Sequence, residues 1–137
     1  CDGCDYVSIE NTILAGGSAG TGNEVDNEDT FYSYGGNLIQ GAVSGDSIPA
    51  ASEGIADLTG VSPALGTLGS NGGPTQTIPD TSSSPGKGHI PFSGTYCGYN
   101  GPSVDQRNYT RGTGSVCDIG AYEFAGTAST QSAARRR

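Results

Sequence analysis

Hydrophobic and polar residues alternate in the first third of the chain, as they do in β-strands. Residues 6–14 (YVSIENTIL) place Val7 and Ile9 between polar neighbours, which predicts one strand. A second extended run is predicted through the aromatic residues of segment 31–34, and the apolar pair at 38–39 follows a Gly-Gly break. The pattern therefore predicts short strands separated by glycine-rich turns.

Two of these segments resemble one another. Residues 11–16 (NTILAG) and 37–41 (NLIQG) both consist of Asn, apolar residues and then glycine, and they begin 26 residues apart. This spacing matches one coil of a solenoid, in which neither coil buries its apolar face alone. Chance similarity in a glycine-rich chain is the alternative.

The middle and end of the chain have few apolar residues. In segment 48–68 they recur at helical spacing, but glycines and Pro63 interrupt them, so loops or short solenoid turns are predicted. Segment 70–94 is rich in Gly, Pro, Ser and Thr, so no core strand is expected in it beyond 75–78. The last ordered piece is predicted at 116–124. We expect residues 1–124 to form the coils and a cap, and residues 125–137 to form a flexible tail.

Composition and charge restrict the class of protein. The chain has 24 glycines among 137 residues, only 15% charged residues and a net charge of −8. Such an acidic surface repels phosphate, which argues against nucleic acid as a partner. The sequence contains no transmembrane run, and we expect an extracellular or cell-envelope location.

The four cysteines are Cys1, Cys4, Cys97 and Cys117. An even number of cysteines in a chain of this composition favours disulfides, and four cysteines permit three pairings. We favour Cys97 with Cys117 and Cys1 with Cys4. For Cys1 and Cys4 a lipidated N-terminal cysteine and a redox or zinc half-site are alternatives.

A series of short motifs extends along residues 7–124. The motifs are 11–16 (NTILAG), 36–39 (GNLI), 63–68 (PALGTL), 71–77 (NGGPTQT), 84–86 (SPG), 105–107 (DQR) and 117–123 (CDIGAYE). In order and spacing they resemble the C-terminal part of bacterial choice-of-anchor Q proteins, relatives of the polymorphic outer-membrane repeat proteins in the pectate-lyase-like superfamily. The resemblance implies a right-handed parallel β-helix, exported and attached to the envelope. The chain departs from the family at residues 86–89 (GKGH) and lacks the usual sorting helix, so the mode of anchoring stays open.

Candidate chemistry concentrates in one acidic run. Glu24, Asp26, Glu28 and Asp29 offer oxygen ligands for calcium, although the run matches no calcium-loop pattern and solvated charge is the alternative. Catalysis on a polysaccharide would need carboxylates with a basic residue, here Asp26, Glu28 and Asp29 with Arg107 or Arg111, and no recognisable spacing links them. We therefore expect no catalytic residues and no cofactor, with calcium as the one ligand left open.

Other residue types admit a functional and a plain interpretation. His89 is the single histidine and is interpreted as a loop residue. Asn108 begins an N-glycosylation motif, with an ordinary surface loop as the alternative. Six tyrosines could form a sugar-binding or protein-binding surface, with core and edge packing as the alternative: Tyr32, Tyr34, Tyr96, Tyr99, Tyr109 and Tyr122.

Asp105, Arg107 and Asp118 are predicted to act structurally. Two of them lie inside the segment bracketed by Cys97 and Cys117, and Asp118 follows it directly. An arginine there can fork onto a carboxylate or onto carbonyl groups and cover the open edge of a terminal coil.

The sequence thus predicts an all-β protein, the end of a right-handed parallel β-helix (solenoid) with a loop-rich, disulfide-bracketed C-terminal cap. We expect a non-catalytic cell-surface module, structural or adhesive, that works by self-assembly into a homo-oligomer or filament or by docking on a larger complex. The alternative is a carbohydrate-binding or polysaccharide-cleaving β-helix protein with a glycan partner.

Overall fold

The structure is a computed structural model. It describes residues 7–17, 23–27, 31–45, 54–92, 96–97, 103–112 and 115–129, with the backbone alone for 23–27 and 42–45. The described residues contain strands and no helix, so this part of the chain is all-β. The strands are β1 (Val7–Glu10), β2 (Ile13–Leu14), β3 (Asn23–Asn27), β4 (Phe31–Gly35), β5 (Leu38–Ile39), β6 (Ala42–Gly45), β7 (Leu58–Thr59), β8 (Ile90–Pro91) and β9 (Val116–Cys117).

The chain divides into two compact units, residues 1–63 and residues 64–137. In the N-terminal unit every strand pair is parallel: β1 with β4, β2 with β5, β3 with β6, and β5 with β7. Val7 lies opposite Phe31, and Ile13 lies opposite Leu38. Strands β1, β2 and β3 thus pair in the same order with β4, β5 and β6. The paired residues lie 24 positions apart at Val7 and Phe31, and 25 positions apart at Ile13 and Leu38.

Burial in the N-terminal unit centres on the middle strands. Leu38 and Ile39 of β5 are fully buried, and Phe31 is 7% exposed. Ile9 and Leu14 of the preceding strands are half-buried and pack against Phe31 and Ile39. The core is therefore a short aliphatic stack with one aromatic ring.

The strand predicted over residues 6–14 is two strands. Asn11 adopts a positive φ of 45°, and this turn separates β1 from β2. The similarity of segments 11–16 and 37–41 aligns Asn11 with Asn37. In the structure Thr12 lies beside Asn37, so the two segments pair with a shift of one residue. Sequence similarity indicated the pairing partner but missed its register.

Within its described segments, the C-terminal unit contains one regular strand pair. β8 pairs antiparallel with β9, so that Ile90 lies opposite Cys117, and isolated bridges join Leu65 to Asp80 and Gly69 to Thr77. Ile90 is fully buried although segment 70–94 was expected to contribute no core strand there. The other described residues of this unit form turns and irregular segments, which need a source of stability other than a strand ladder.

The chain after Phe124 continues the C-terminal unit for several residues. The Thr127 carbonyl accepts from the Thr110 N–H at 2.7 Å, and the Ser129 N–H donates to the Asn108 carbonyl at 3.0 Å. Residues 130–137 of the predicted tail lie outside the described residues. None of the described segments forms a helix able to cross a membrane.

Candidate functional site

The centre of the C-terminal unit is a buried ion pair between Asp105 and Arg107. Arg107 Nε and Nη2 both donate to Asp105 Oδ2, at 2.9 and 2.6 Å. The side chain of Asp105 is 0% exposed and that of Arg107 is 4% exposed. Asp105 Oδ1 accepts the backbone N–H groups of Arg107 and Tyr109, and Oδ2 accepts that of Glu123. The carboxylate thus organises the backbone of both neighbouring segments.

The Arg107 guanidinium reaches well beyond its own loop. Its Nη2 donates to the Glu123 carbonyl at 2.7 Å and its Nη1 to the Asn71 carbonyl at 3.4 Å. The rings of Tyr109 and Tyr122 lie against the guanidinium, with centroids 4.1 and 3.6 Å from its central carbon. One side chain therefore ties three distant segments together.

The Asn-Gly-Gly motif is explained by its close approach to this arginine. Gly72 and Gly73 both have positive φ, and a Cβ on Gly73 would lie 2.5 Å from Arg107 Cα. A Cβ on Gly72 would lie 2.7 Å from Tyr109 Oη. Glycine is required at both positions for the backbone conformation and for space.

A second buried group surrounds Arg111. Its Nη1 donates to the Asp118 carbonyl at 3.2 Å and lies 3.8 Å from Glu123 Oε2, and its Nη2 donates to the Gly120 carbonyl. Glu123 is 1% exposed, and its two oxygens accept the N–H groups of Gly112 and Asp118. The guanidinium and Glu123 thus hold the turn at 118–123 closed.

Two more acids belong to this group. Asp118 accepts from the N–H groups of Gly88 and Phe124, both at 2.6 Å. Asp80 is 4% exposed, and its Oδ1 accepts from the Ser84 hydroxyl at 3.3 Å. Asp80 Oδ2 and Arg111 Nε are buried without a hydrogen-bond partner among the described residues.

The electrostatic environments of these acids differ. Burial by itself raises the pKa of Asp105, but hydrogen bonds from the Arg107 side chain and from three backbone N–H groups bring it below its usual value. Burial, with the nearby charge of Asp118, raises the pKa of Glu123. Burial and Asp118 also raise the pKa of Asp80 to about 6. Asp105 is thus held as an anion, whereas Asp80 keeps its proton up to a pH of about 6.

The N-terminal unit has a smaller polar network at Asn37, which is fully buried. Asn37 Oδ1 accepts the Thr12 N–H at 3.0 Å, and Nδ2 donates to Ser33 Oγ at 2.9 Å and to Asp57 Oδ1 at 3.1 Å. Ser33 Oγ donates to Asp57 Oδ2 in a short hydrogen bond. One amide therefore connects the segments that carry β2, β4 and β7.

Comparison with protein-family models, with curated proteins and with solved structures gives no match.

The predicted site residues fall into three groups. The Cys97–Cys117 disulfide is present, with both residues fully buried, whereas Cys1 and Cys4 lie outside the described residues. Arg107 does lie on the Asp105 carboxylate, as expected of a forked arginine. Asp118 belongs to the neighbouring Arg111 group. That these residues cover the edge of a terminal coil stays a prediction.

The sequence interpretation missed Glu123 and Asp80, and it considered Arg111 only as a catalytic candidate. Glu123 lies in the CDIGAYE motif that carried the resemblance, and its membership of that motif is the signal that pointed to it. Asp80 has no comparable signal, because it stands alone in a polar loop. Arg107 and Arg111 are 5% and 6% exposed, so both are engaged in the folded core.

The structure does not describe the side chains of the acidic run at 24–29. Glu28 and Asp29 lie outside the described residues, and of Glu24 and Asp26 only the backbone in β3 is described. Among the described side chains no three His, Cys, Asp or Glu residues are grouped to hold a metal ion.

The tyrosines and the predicted glycosylation residue have separate environments. Asn108 is exposed, with a positive φ of 65°. Tyr32 and Tyr34 are 42% and 39% exposed, whereas Tyr96 is 6% exposed. With Tyr109 and Tyr122 stacked on Arg107, the described tyrosines divide between surface and core. His89 is half-buried in the loop before β8.

Proposed function

We propose that this protein is a non-catalytic structural module, in which the N-terminal unit is a stack of parallel β-helix coils and the C-terminal unit is a rigid loop-rich domain that follows them. The observation that carries the proposal is the repeated parallel pairing of β1, β2 and β3 with β4, β5 and β6. Pairing of each strand with its equivalent 18 to 25 residues later is the geometry of stacked coils. The motif resemblance to envelope β-helix proteins supports the same proposal.

The first coil provides the surface through which such a module would act. Leu38 and Ile39 of the second coil are fully buried, whereas their partners Ile13 and Leu14 are half-buried and Val7 is 46% exposed. Strands β1 and β2 each pair on one side, with β4 and β5, among the described strands. A further parallel coil, from another copy or from a larger surface protein, would complete the burial of this edge.

The chemistry of the described residues suits a structural role better than a catalytic one. Arg107 and Arg111, which a lyase or hydrolase would present to a sugar, are buried and bound to acids and backbone groups. The buried disulfide supports an oxidising, extracellular compartment as the site of action. We infer a role in surface structure, adhesion or assembly.

The direct experiment is light scattering with electron microscopy on the wild type and on Val7→Lys. A charge at this exposed edge position should disfavour stacking of another coil while leaving the fold intact, as lysines do on natural edge strands. Leu68→Lys is the matched control, because Leu68 is 61% exposed in the C-terminal unit. We expect the wild type and Leu68→Lys to assemble and Val7→Lys to assemble less. A wild type that stays monomeric at high concentration, alone and with its natural surface proteins, would contradict the proposal.

Glycan binding is the second candidate, and one observation favours it. Tyr32 and Tyr34 lie on the exposed face of β4, alternating with the buried Phe31 and Ser33. Neighbouring exposed rings on one strand face can stack on sugar rings. Calorimetry with extracellular polysaccharides should then show binding that Tyr32→Ala with Tyr34→Ala abolishes; absence of heat with the wild type would remove this candidate.

A further inference from the structure

Asp80 differs from the other buried acids of the C-terminal unit in the donors around its carboxyl group. The carboxylates of Asp105, Asp118 and Glu123 each accept backbone N–H groups on both oxygens. Asp80 instead has one oxygen on the Ser84 hydroxyl at 3.3 Å, and within the described chain its Oδ2 is buried without a donor. A buried carboxylate oxygen without a donor raises the free energy of the folded state, because its charge loses hydration without gaining a hydrogen bond. Protonation of the carboxyl group removes this cost.

The charges that act on Asp80 are also unbalanced. They come from Asp118 and Glu123, both acids, and from the single guanidinium of Arg111. Arg111 lies 3.8 Å from Glu123, and both of its Nη groups donate to backbone carbonyls. With Asp80 ionised, three carboxylates would share one cation in a buried group.

We propose that Asp80 is a proton-binding site that makes the C-terminal unit a pH-responsive element, tighter in mildly acidic surroundings and looser at neutral pH. The proton removes one of the two unbalanced negative charges and leaves Asp118 and Glu123 to their backbone donors. Release of the proton places a charge beside those two acids and weakens the turn at 118–123 that they hold. This property stands independently of coil stacking.

The direction of the pH dependence follows from the linkage between protonation and folding. The pKa of Asp80 rises from 3.8 to about 6 on folding. The stabilisation is therefore complete below pH 3.8 and is lost as the pH rises through about 6. Glu123, whose pKa is also raised, acts in the same direction. Asp105 acts in the opposite direction, because its lowered pKa causes a loss of stability only in stronger acid.

The first test is thermal unfolding from pH 4 to pH 8 for the wild type, Asp80→Asn and Glu10→Gln. Asparagine keeps the shape of the neutral acid, so Asp80→Asn should remove most of the decline in stability between pH 4 and pH 7. For the wild type this decline should be on the order of 100-fold in the unfolding constant. Glu10→Gln changes an exposed acid of the N-terminal unit and should keep the wild-type profile. Parallel profiles for the wild type and Asp80→Asn would overturn the proposal.

The second test does not depend on a variant that folds. Carbon-detected NMR titration of the wild-type aspartate carboxyl groups, with Asp80 assigned through its backbone, reports the proton directly. We expect the Asp80 signal to titrate near pH 6, well above the ordinary aspartate value of 3.8. A midpoint below pH 4.5 would overturn the proposal.

Discussion

The two units of this chain stabilise their backbones in different ways. The N-terminal unit stacks short parallel strands so that aliphatic side chains cover one another, with Leu38 and Ile39 fully buried. The C-terminal unit has one short strand pair and relies on a buried disulfide and on charged side chains bonded to backbone groups. Asn37 of the first unit differs from this pattern, since its buried amide hydrogen-bonds neighbouring segments within an apolar stack.

The difference shows two ways in which a glycine-rich chain with 33% hydrophobic residues can stabilise its backbone, one in each unit. Where strands repeat, each coil offers its neighbour an apolar surface and a row of hydrogen-bonding groups. Where the sequence is mostly turns, the backbone N–H and carbonyl groups need side-chain partners, because buried polar groups left unpaired are costly. Asp105, Asp118 and Glu123 supply the acceptors, and Arg107 and Arg111 supply the donors.

Arg107→Ala should produce the largest loss of stability and confine it to the C-terminal unit. The substitution leaves Asp105 charged and buried without its partner, which costs about 3–5 kcal/mol in comparable sites. Segment-resolved hydrogen exchange should show loss of protection in 103–112 and 118–126, with the strands of residues 7–45 unchanged. Arg107→Lys keeps the charge but cannot donate two hydrogen bonds to Asp105 or cover both tyrosine rings. Its stability should lie between that of the wild type and that of Arg107→Ala. An unchanged melting curve for Arg107→Ala would refute the structural role of the pair.

Removal of the disulfide by Cys97→Ala with Cys117→Ala should have the next largest effect. The bridge spans 20 residues, and a loop of that size corresponds to about 3 kcal/mol in the chain-entropy model. Reduction of the wild type under denaturing conditions, followed by refolding with reductant, should give the same midpoint as the double variant. A loss of protection that spread equally over β1 to β6 would contradict the separate stabilisation of the two units.

Asn37→Ala tests the hydrogen bonds of Asn37 in the N-terminal unit and should cause a smaller loss of stability. It removes the acceptor of the Thr12 N–H and two donors to Ser33 and Asp57, for which we expect a loss of about 2 kcal/mol. Gln40→Ala is the control, because Gln40 is exposed and its Oε1 accepts one N–H, that of Gly16, at 3.2 Å. Equal effects of the two substitutions would show that Asn37 does not link the strands.

Local patterns in the sequence predicted the features that depend on neighbours in the chain. The aromatic residues of segment 31–34 predicted an extended run, and the structure has β4 there, with Phe31 and Ser33 buried. The Cys97–Cys117 pairing is confirmed as well. Both predictions rest on a short-range pattern or on a residue type with few possible partners.

The features that the sequence did not predict depend on distant partners. Ile90 lies at the end of a segment rich in Gly, Pro, Ser and Thr, and it pairs with Cys117, which is distant in the sequence. The one-residue difference in register at Asn37 comes from the turn at Asn11, where φ is positive. Asp80 meets the Arg111 group only through folding of the polar loop. No local pattern records these long-range contacts.

The most direct test of the account is a cryo-electron microscopy map of the protein in its natural assembled state, at a resolution that shows strands. We predict a parallel strand hydrogen-bonded to the outer edge of β1 and a coil covering Val7 and Ile13. A map in which this edge faces solvent in every particle would contradict the proposal that the stacked coils serve for assembly.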